Sequence, residues 1–174
     1  LMHSPIRRNE TSPAARMKTL GYIDAVLALR DVRAAGADEA LFLNSAGHIA
    51  CCGTGNLFVL RDDRLLTPPL SDGVLDGITR QQIIALAPEL GLKSVETSLQ
   101  PGDLLPTDTL FMTNSLRLIA PAVCLDGKAL APCGLEQLSK ALIKRITDEC
   151  GPWDHPPRLP DAGAKAEVFH ALPA

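Results

Sequence analysis

Asn56-Leu57-Phe58-Val59-Leu60-Arg61-Asp62-Asp63-Arg64-Leu65-Leu66-Thr67-Pro68-Pro69 reads as two strands and the turn between them. The segments 56–60 and 64–67 carry the branched and aromatic side chains of strands, and Asp62-Asp63 supplies a polar reversal. Pro68-Pro69 ends the pairing, because proline brings no N–H to a ladder. Upstream, Ala40-Leu41-Phe42-Leu43 and His48-Ile49-Ala50-Cys51-Cys52 flank Asn44-Ser45-Ala46-Gly47, which fits another hairpin. Before that, Leu20, Ile23, Val26, Leu27 and Leu29 recur at helical spacing, with Arg30 and Arg33 near the end and Gly36 as the stop. This spacing predicts a helix over 18–36.

Downstream, Ile83, Ile84, Ala87 and Leu90 predict a second helix over 79–90, closed by Gly91. Strands are expected at 93–97 and 109–113, a tight turn at Asp126-Gly127, and a last helix over about 135–150. Mostly antiparallel hairpins with about three helices make an α+β domain rather than a regular alternation of strand and helix.

At 174 residues the chain is long enough for one real core, and 46% apolar with 21% charged residues is the composition of a folded globule. A net charge of −3 without a dense Lys/Arg patch gives no footprint for nucleic acid or an anionic membrane. No apolar run approaches the ~20 residues of a membrane span. Cys51, Cys52, Cys124, Cys133 and Cys150 are an odd set without a scaffold pattern, which reads as reduced thiols in a cytoplasm.

Residues 1–16 are polar and precede any periodic pattern, so they read as an interdomain linker, with an N-terminal domain expected upstream. Residues 17–150 form the domain. Pro152, Pro156, Pro157 and Pro160 mark 151–174 as an irregular tail.

Gly77-Ile78-Thr79-Arg80 opens a helix, where free N–H groups, the positive end of the dipole and the Thr79 hydroxyl suit an anion such as phosphate. Taken alone, it reads rather as an ordinary capped helix start. Thr113-Asn114-Ser115 ends a strand and offers hydroxyl and amide donors to the same anion, although a polar turn has the same appearance. Lys18 stands between Met17 and Leu20, just inside the expected first helix. A lysine there usually lays its stem along the core, but one desolvated beside a cofactor can form a Schiff base and carry protons. Adjacent Cys51-Cys52 lacks metal or redox spacing and fits buried strand thiols. His3, His48, His155 and His170 are scattered, so no metal site or catalytic triad is expected.

In order along the chain, Lys18-Thr19-Leu20-Gly21-Tyr22, Gly36-Ala37-Asp38-Glu39-Ala40-Leu41, Gly55-Asn56-Leu57-Phe58, Thr67-Pro68-Pro69, Gly77-Ile78-Thr79-Arg80 and Phe111-Met112-Thr113-Asn114-Ser115-Leu116 resemble the C-terminal domain of class IV pyridoxal-phosphate (PLP) enzymes. These include branched-chain and D-amino acid aminotransferases and aminodeoxychorismate lyases. The resemblance implies the fold of that domain and a homodimer. It implies that Lys18 forms the Schiff base with PLP, that Gly77, Ile78 and Thr79 with Asn114 and Ser115 hold the phosphate, and that Leu75 packs on the pyridine ring. Cys51 falls where the family usually carries a glutamate at the pyridine nitrogen, which implies a weaker electron sink. The missing N-terminal domain would complete the site.

Thr113-Asn114-Ser115-Leu116-Arg117 is more similar to the lyases than to the aminotransferases. The leading expectation is therefore an aminodeoxychorismate lyase, which converts 4-amino-4-deoxychorismate to pyruvate and 4-aminobenzoate, a folate precursor. Lys18 would serve as Schiff base and proton shuttle. The alternative is a class IV aminotransferase of branched-chain or D-amino acids, and a third reading is a PLP-fold protein without turnover.

Overall fold

The computed structural model describes residues 1–130 and 132–151. Ten strands and three α-helices follow one another as β1 (Met2–Arg8), α1 (Ile23–Ala34), β2 (Ala40–Asn44), β3 (Ile49–Cys52), β4 (Asn56–Arg61), β5 (Arg64–Thr67), α2 (Ile78–Leu86), β6 (Lys93–Glu96), β7 (Thr109–Asn114), β8 (Leu118–Pro121), β9 (Cys124–Leu125), β10 (Lys128–Ala129) and α3 (Leu135–Cys150). The α+β class holds.

The hairpin at 56–67 is the seed of a five-stranded sheet in the order β6-β5-β4-β7-β8. Its turn works because Asp62 accepts a left-handed φ of 53°, a conformation that aspartate tolerates better than branched residues. Strand β4 pairs antiparallel with β5 and β7, while β6 joins β5 in parallel after the α2 crossover. A three-stranded sheet, β1-β2-β3, and the two-stranded β9-β10 ribbon complete the strands.

Period-two alternation assigns the faces of the large sheet. Leu57, Val59, Leu66, Leu110 and Met112 pack with Leu41, Leu43 and Ile49 of the small sheet. Their neighbours Phe58, Leu65 and Phe111 point the other way, onto Ile83 and Leu86 of α2 and Leu138 and Leu142 of α3. Phe58 and Phe111, opposite each other in the ladder, stack at 5.2 Å between ring centroids, a contact worth about 1 kcal/mol beyond burial. Each fully buried Leu or Phe contributes roughly 1.5–3 kcal/mol. The other face of the small sheet meets α1 through Phe42, Cys51, Ala28 and Val32.

Three expectations change. Residues 2–8 are not linker but strand β1, paired in parallel with β2. Met2 and Ile6 pack on the α1 side of the small sheet and Ser4 is buried, so short polar residues concealed a strand whose partner is distant in sequence. Helix α1 starts at Ile23, not Lys18, and the face it buries is Ala25, Ala28 and Val32. Leu20, Ile23 and Val26, which suggested a core face, are 100%, 65% and 57% exposed. The second helix ends at Leu86 and tightens into a 3₁₀ turn over Ala87–Leu90, because Pro88 has no N–H for an α-helical bond. The pairing is mostly antiparallel, as expected, with β1-β2 and β5-β6 running parallel. The tail expected at 151–174 lies, beyond Gly151, outside the described residues.

Candidate functional site

A cavity opens where the end of β1, the irregular segment before α1, and the β3–β4 turn approach one another. Lys18, Cys51 and Leu75 all line it, joined by Arg8, Tyr22 and Asn56. Three residues singled out from sequence therefore share one wall system although they are up to 57 positions apart.

Lys18 belongs to an exposed, non-helical segment rather than a helix turn. Its Nζ donates to the Tyr22 hydroxyl. The Tyr22 hydroxyl thus holds the amine at the cavity mouth. Tyr22 was part of a sequence block but had no role assigned to it; its position four residues after the lysine was the available signal.

Cys51 and Cys52 end β3 with both side chains buried, as the sequence suggested. Burial pushes the Cys51 thiol above its ordinary value; the Arg8 charge pulls it back in part, and Glu39 adds to the rise. The thiol is neutral at physiological pH. Arg8 went unnoticed in the sequence because its segment read as linker.

Gly77, Ile78, Thr79, Asn114 and Ser115 stand outside the cavity wall but are tied to it. Asn56 Nδ2 donates to the Leu75 carbonyl at 2.8 Å, and a Cβ on Gly77 would collide with Asn56 Oδ1. The loop entering α2 is thereby pressed against the β3–β4 turn. Gly77 is the α2 N-cap and no side chain caps the helix, so its first N–H groups remain available, with Thr79 buried and Ile78 72% exposed beside them. Arg80 is not a ligand here: it is buried, and donates to Pro68 O at 3.2 Å, Glu96 Oε2 at 2.5 Å and Asp76 Oδ1 at 3.3 Å. It pins the start of the helix.

Asn114 is tied into its own loop. Its Nδ2 is used on the Thr54 carbonyl at 3.2 Å, and its Oδ1 accepts from the N–H groups of Leu116 and Arg117. It holds a turn against the cavity rim, beside exposed Ser115. Buried Thr113, by contrast, has a hydroxyl without a partner. Among the described residues no group of three or more His, Cys, Asp or Glu forms a metal site, and no helix is long and apolar enough to cross a membrane.

Comparison with known proteins places this geometry in a family. Residues 1–124 match the family model described as amino-transferase class IV. A protein of Methanocaldococcus jannaschii, provisionally named a branched-chain-amino-acid aminotransferase, is 36% identical over 138 residues, which is 79% of this chain and 48% of that protein. The branched-chain aminotransferase of Pseudomonas aeruginosa is 34% identical over 134 residues, 76% of this chain and 43% of its own length. Thus the chain spans about half the length of the curated relatives it matches.

Among solved structures, branched-chain amino acid aminotransferase from Thermobaculum terrenum in its PLP form superposes with a TM-score of 0.77 at 28% identity, covering 84% of this chain and 50% of that one. A Legionella pneumophila protein provisionally named 4-amino-4-deoxychorismate lyase superposes with a TM-score of 0.76 at 29% identity, covering 85% and 55%. With its model matched across the cavity, both sheets and the start of α2, the chain belongs to the class IV amino-transferase family.

Proposed function

We propose that this chain carries the PLP-holding part of an aminotransferase acting on branched-chain amino acids. The observation that carries the reading is the convergence of an exposed lysine, Lys18, with Leu75 and Cys51 on one cavity whose far side is tied to the free N-terminus of α2. The residues fit PLP by chemistry: an amine for its aldehyde, unpaired helix N–H groups and the buried Thr79 for its phosphate, and the half-buried Leu75 for its ring. When bound, the cofactor supplies an electron-withdrawing ring conjugated to the substrate nitrogen.

The chain's own residues do the rest. Lys18 would hold the cofactor through its amine and move a proton at the substrate carbon, with the Tyr22 hydroxyl orienting the amine. Gly77, Ile78 and Thr79 would bind the phosphate through backbone and hydroxyl donors, with Ser115 as a further donor on the second loop and Asn114 fixing that loop's shape. The names of the curated relatives support amino transfer over the lyase reaction expected from the Asn114-Ser115-Leu116 block.

The lyase reading is kept as second, favoured by Cys51 in the place of a carboxylate and by the likeness to the Legionella protein. Met17, Leu20, Ile23 and Val26 are exposed apolar residues near the cavity, which supports a homodimer as their cover. The deciding experiment supplies PLP and a branched-chain amino acid with 2-oxoglutarate, and separately 4-amino-4-deoxychorismate with no acceptor. Glutamate formation in the first supports amino transfer, whereas pyruvate release in the second without activity in the first overturns it in favour of the lyase.

A further inference from the structure

Gly53-Thr54-Gly55, the turn between β3 and β4, forms one wall of the cavity that Lys18 also lines. Glu39, the residue before β2, stands outside that lining and is 5% exposed, yet its carboxylate reaches the turn. Oε2 accepts from the Thr54 hydroxyl at 2.6 Å, and Oε1 accepts from the Ala40 N–H at 3.1 Å. The Gly53 N–H donates to the Ala40 carbonyl at 2.9 Å, so the same corner of β2 also holds the backbone of the turn. Gly53 has no positive φ that demands glycine, but a Cβ there would lie 2.7 Å from Glu39 Oε1. The glycine keeps room for the carboxylate.

The large sheet grips the turn as well. Asn114, the last residue of β7, donates Nδ2 to the Thr54 carbonyl at 3.2 Å, and a Cβ on Gly55 would lie 2.3 Å from the Thr113 carbonyl oxygen. Thr54 is thus fastened by its hydroxyl to the small sheet and by its carbonyl to the large one. Two residues on, Asn56 carries the connection to Leu75. Burying a carboxylate is costly unless hydrogen bonds offset it, and Glu39 directs one of its two oxygens at a residue of the cavity wall. Without that bond the turn is fastened by Asn114 and by its own backbone, and cofactor binding has to order it as well as make contacts, which lowers affinity.

We propose, resting on the PLP reading above, that Glu39 is a positioning residue of the cofactor site. It touches neither cofactor nor substrate, and acts through Thr54 by presetting the wall against which the bound cofactor lies.

The experiment titrates PLP into the wild-type chain, Glu39→Met, Thr54→Val, Thr54→Ser and the double variant Glu39→Met/Thr54→Val. It reads the affinity and the position of the near-visible band of bound PLP, with a thermal melt of each cofactor-free chain. Glu39→Met and Thr54→Val should each bind PLP about tenfold more weakly, the scale of one hydrogen bond to a charged group, and shift the band in the same direction. Thr54→Ser keeps the hydroxyl and should retain the wild-type affinity and band. The double variant should bind no more weakly than Thr54→Val by itself, because both substitutions break one link. A merely structural Glu39 would lower the melt of Glu39→Met and leave the affinity and band of the folded chain at their wild-type values. That result overturns the proposal, as do losses that add in the double variant. Should Glu39→Met fail to fold, Thr54→Val against Thr54→Ser decides, since both keep the carboxylate, and equal affinities overturn the proposal. Failure of the wild-type chain to take up PLP at all instead overturns the cofactor reading and this inference with it, whereas uptake by wild type with an unchanged Glu39→Met affinity strikes this inference only.

Discussion

Asn56 Nδ2 donates to the Leu75 carbonyl at 2.8 Å, so the first residue of β4 clamps the loop that leads into α2. The same amide presents Oδ1 to Gly77, where a Cβ would collide. One side chain thus sets both the ring-side residue and the helix start that is proposed to receive phosphate. Asn56→Ala should cost about 1–3 kcal/mol, since it leaves the part-buried carbonyl unpaired. Gly77→Ala should weaken PLP binding more than it lowers stability, because the displaced residues belong to the phosphate loop. Denaturant unfolding and cofactor titration on both variants separate the effects; equal binding in Gly77→Ala and wild type would show that the loop takes no part in the site.

Lys18→Ala removes the amine at the cavity mouth. The variant should keep its fold, because Lys18 is exposed and its one side-chain partner is Tyr22. It should lose the near-visible absorbance of a lysine-bound PLP and the covalent adduct seen after borohydride reduction. Retention of that adduct would assign the chemistry to another lysine.

Thr79→Val is nearly isosteric at a buried position of the first α2 turn. It should weaken PLP binding by about 1–2 kcal/mol, the scale of one hydrogen bond to a charged group, while the melting temperature of the cofactor-free chain stays near wild type. An unchanged affinity by fluorescence titration would put the phosphate elsewhere.

How far these elements could be read beforehand depended on how local their causes are. The β4-β5 hairpin and α3 over Leu135–Cys150 were legible, because turn chemistry and 3.6-residue periodicity are written within each segment. Strand β1 was not, because what makes Ser4 and Ile6 a strand is a parallel neighbour, β2, more than thirty residues away. The apolar spacing of Leu20, Ile23 and Val26 misled for a related reason: apolar residues left for an external surface have the same period as those facing a core. In the site, Lys18, Leu75 and Cys51 were found through ordered motifs. Arg8 and Asn56 act through contacts that only folding creates, and Asn114 proved to be held by its own turn.

Arg61 and Asp108 form a two-pronged ion pair: Nε and Nη2 donate to the two carboxylate oxygens at 2.7 Å, with Asp108 buried. Burial alone would raise the Asp108 carboxyl, but the Arg61 hydrogen bonds, the Leu105 N–H and the Arg61 charge outweigh it and hold it below its ordinary value. A carboxylate with a depressed folded-state pKa adds stability above the unfolded-state value, and loses it as pH falls through the folded-state value. Wild-type stability should therefore drop on acidification below about pH 4, and Asp108→Asn should cost about 2 kcal/mol at neutral pH and flatten that acid slope. Urea unfolding at several pH values measures both; parallel slopes would mean that Asp108 is not the group responsible.

Cys51→Glu puts a carboxylate where the site now has a neutral thiol, on the cavity that Arg8 also lines. The new anion should pair with Arg8 and with a protonated ring nitrogen at once, stabilising the pyridinium form of the cofactor. A pyridinium holds the carbanion that amino transfer must keep long enough to reprotonate on the cofactor side, whereas the lyase reaction spends its carbanion at once in expelling pyruvate. The ratio of amino-transfer to lyase turnover should therefore rise in the variant, measured under identical conditions in the protein together with the half of its relatives that this chain does not span. The substitution buries a larger, ionisable side chain in β3, so a melt must first show that the strand survives, and Arg8 is the reason to expect that it does. If the folded variant binds PLP with no rise in that ratio, Cys51 does not face the ring nitrogen, and the registration of Cys51 against the family's carboxylate is wrong.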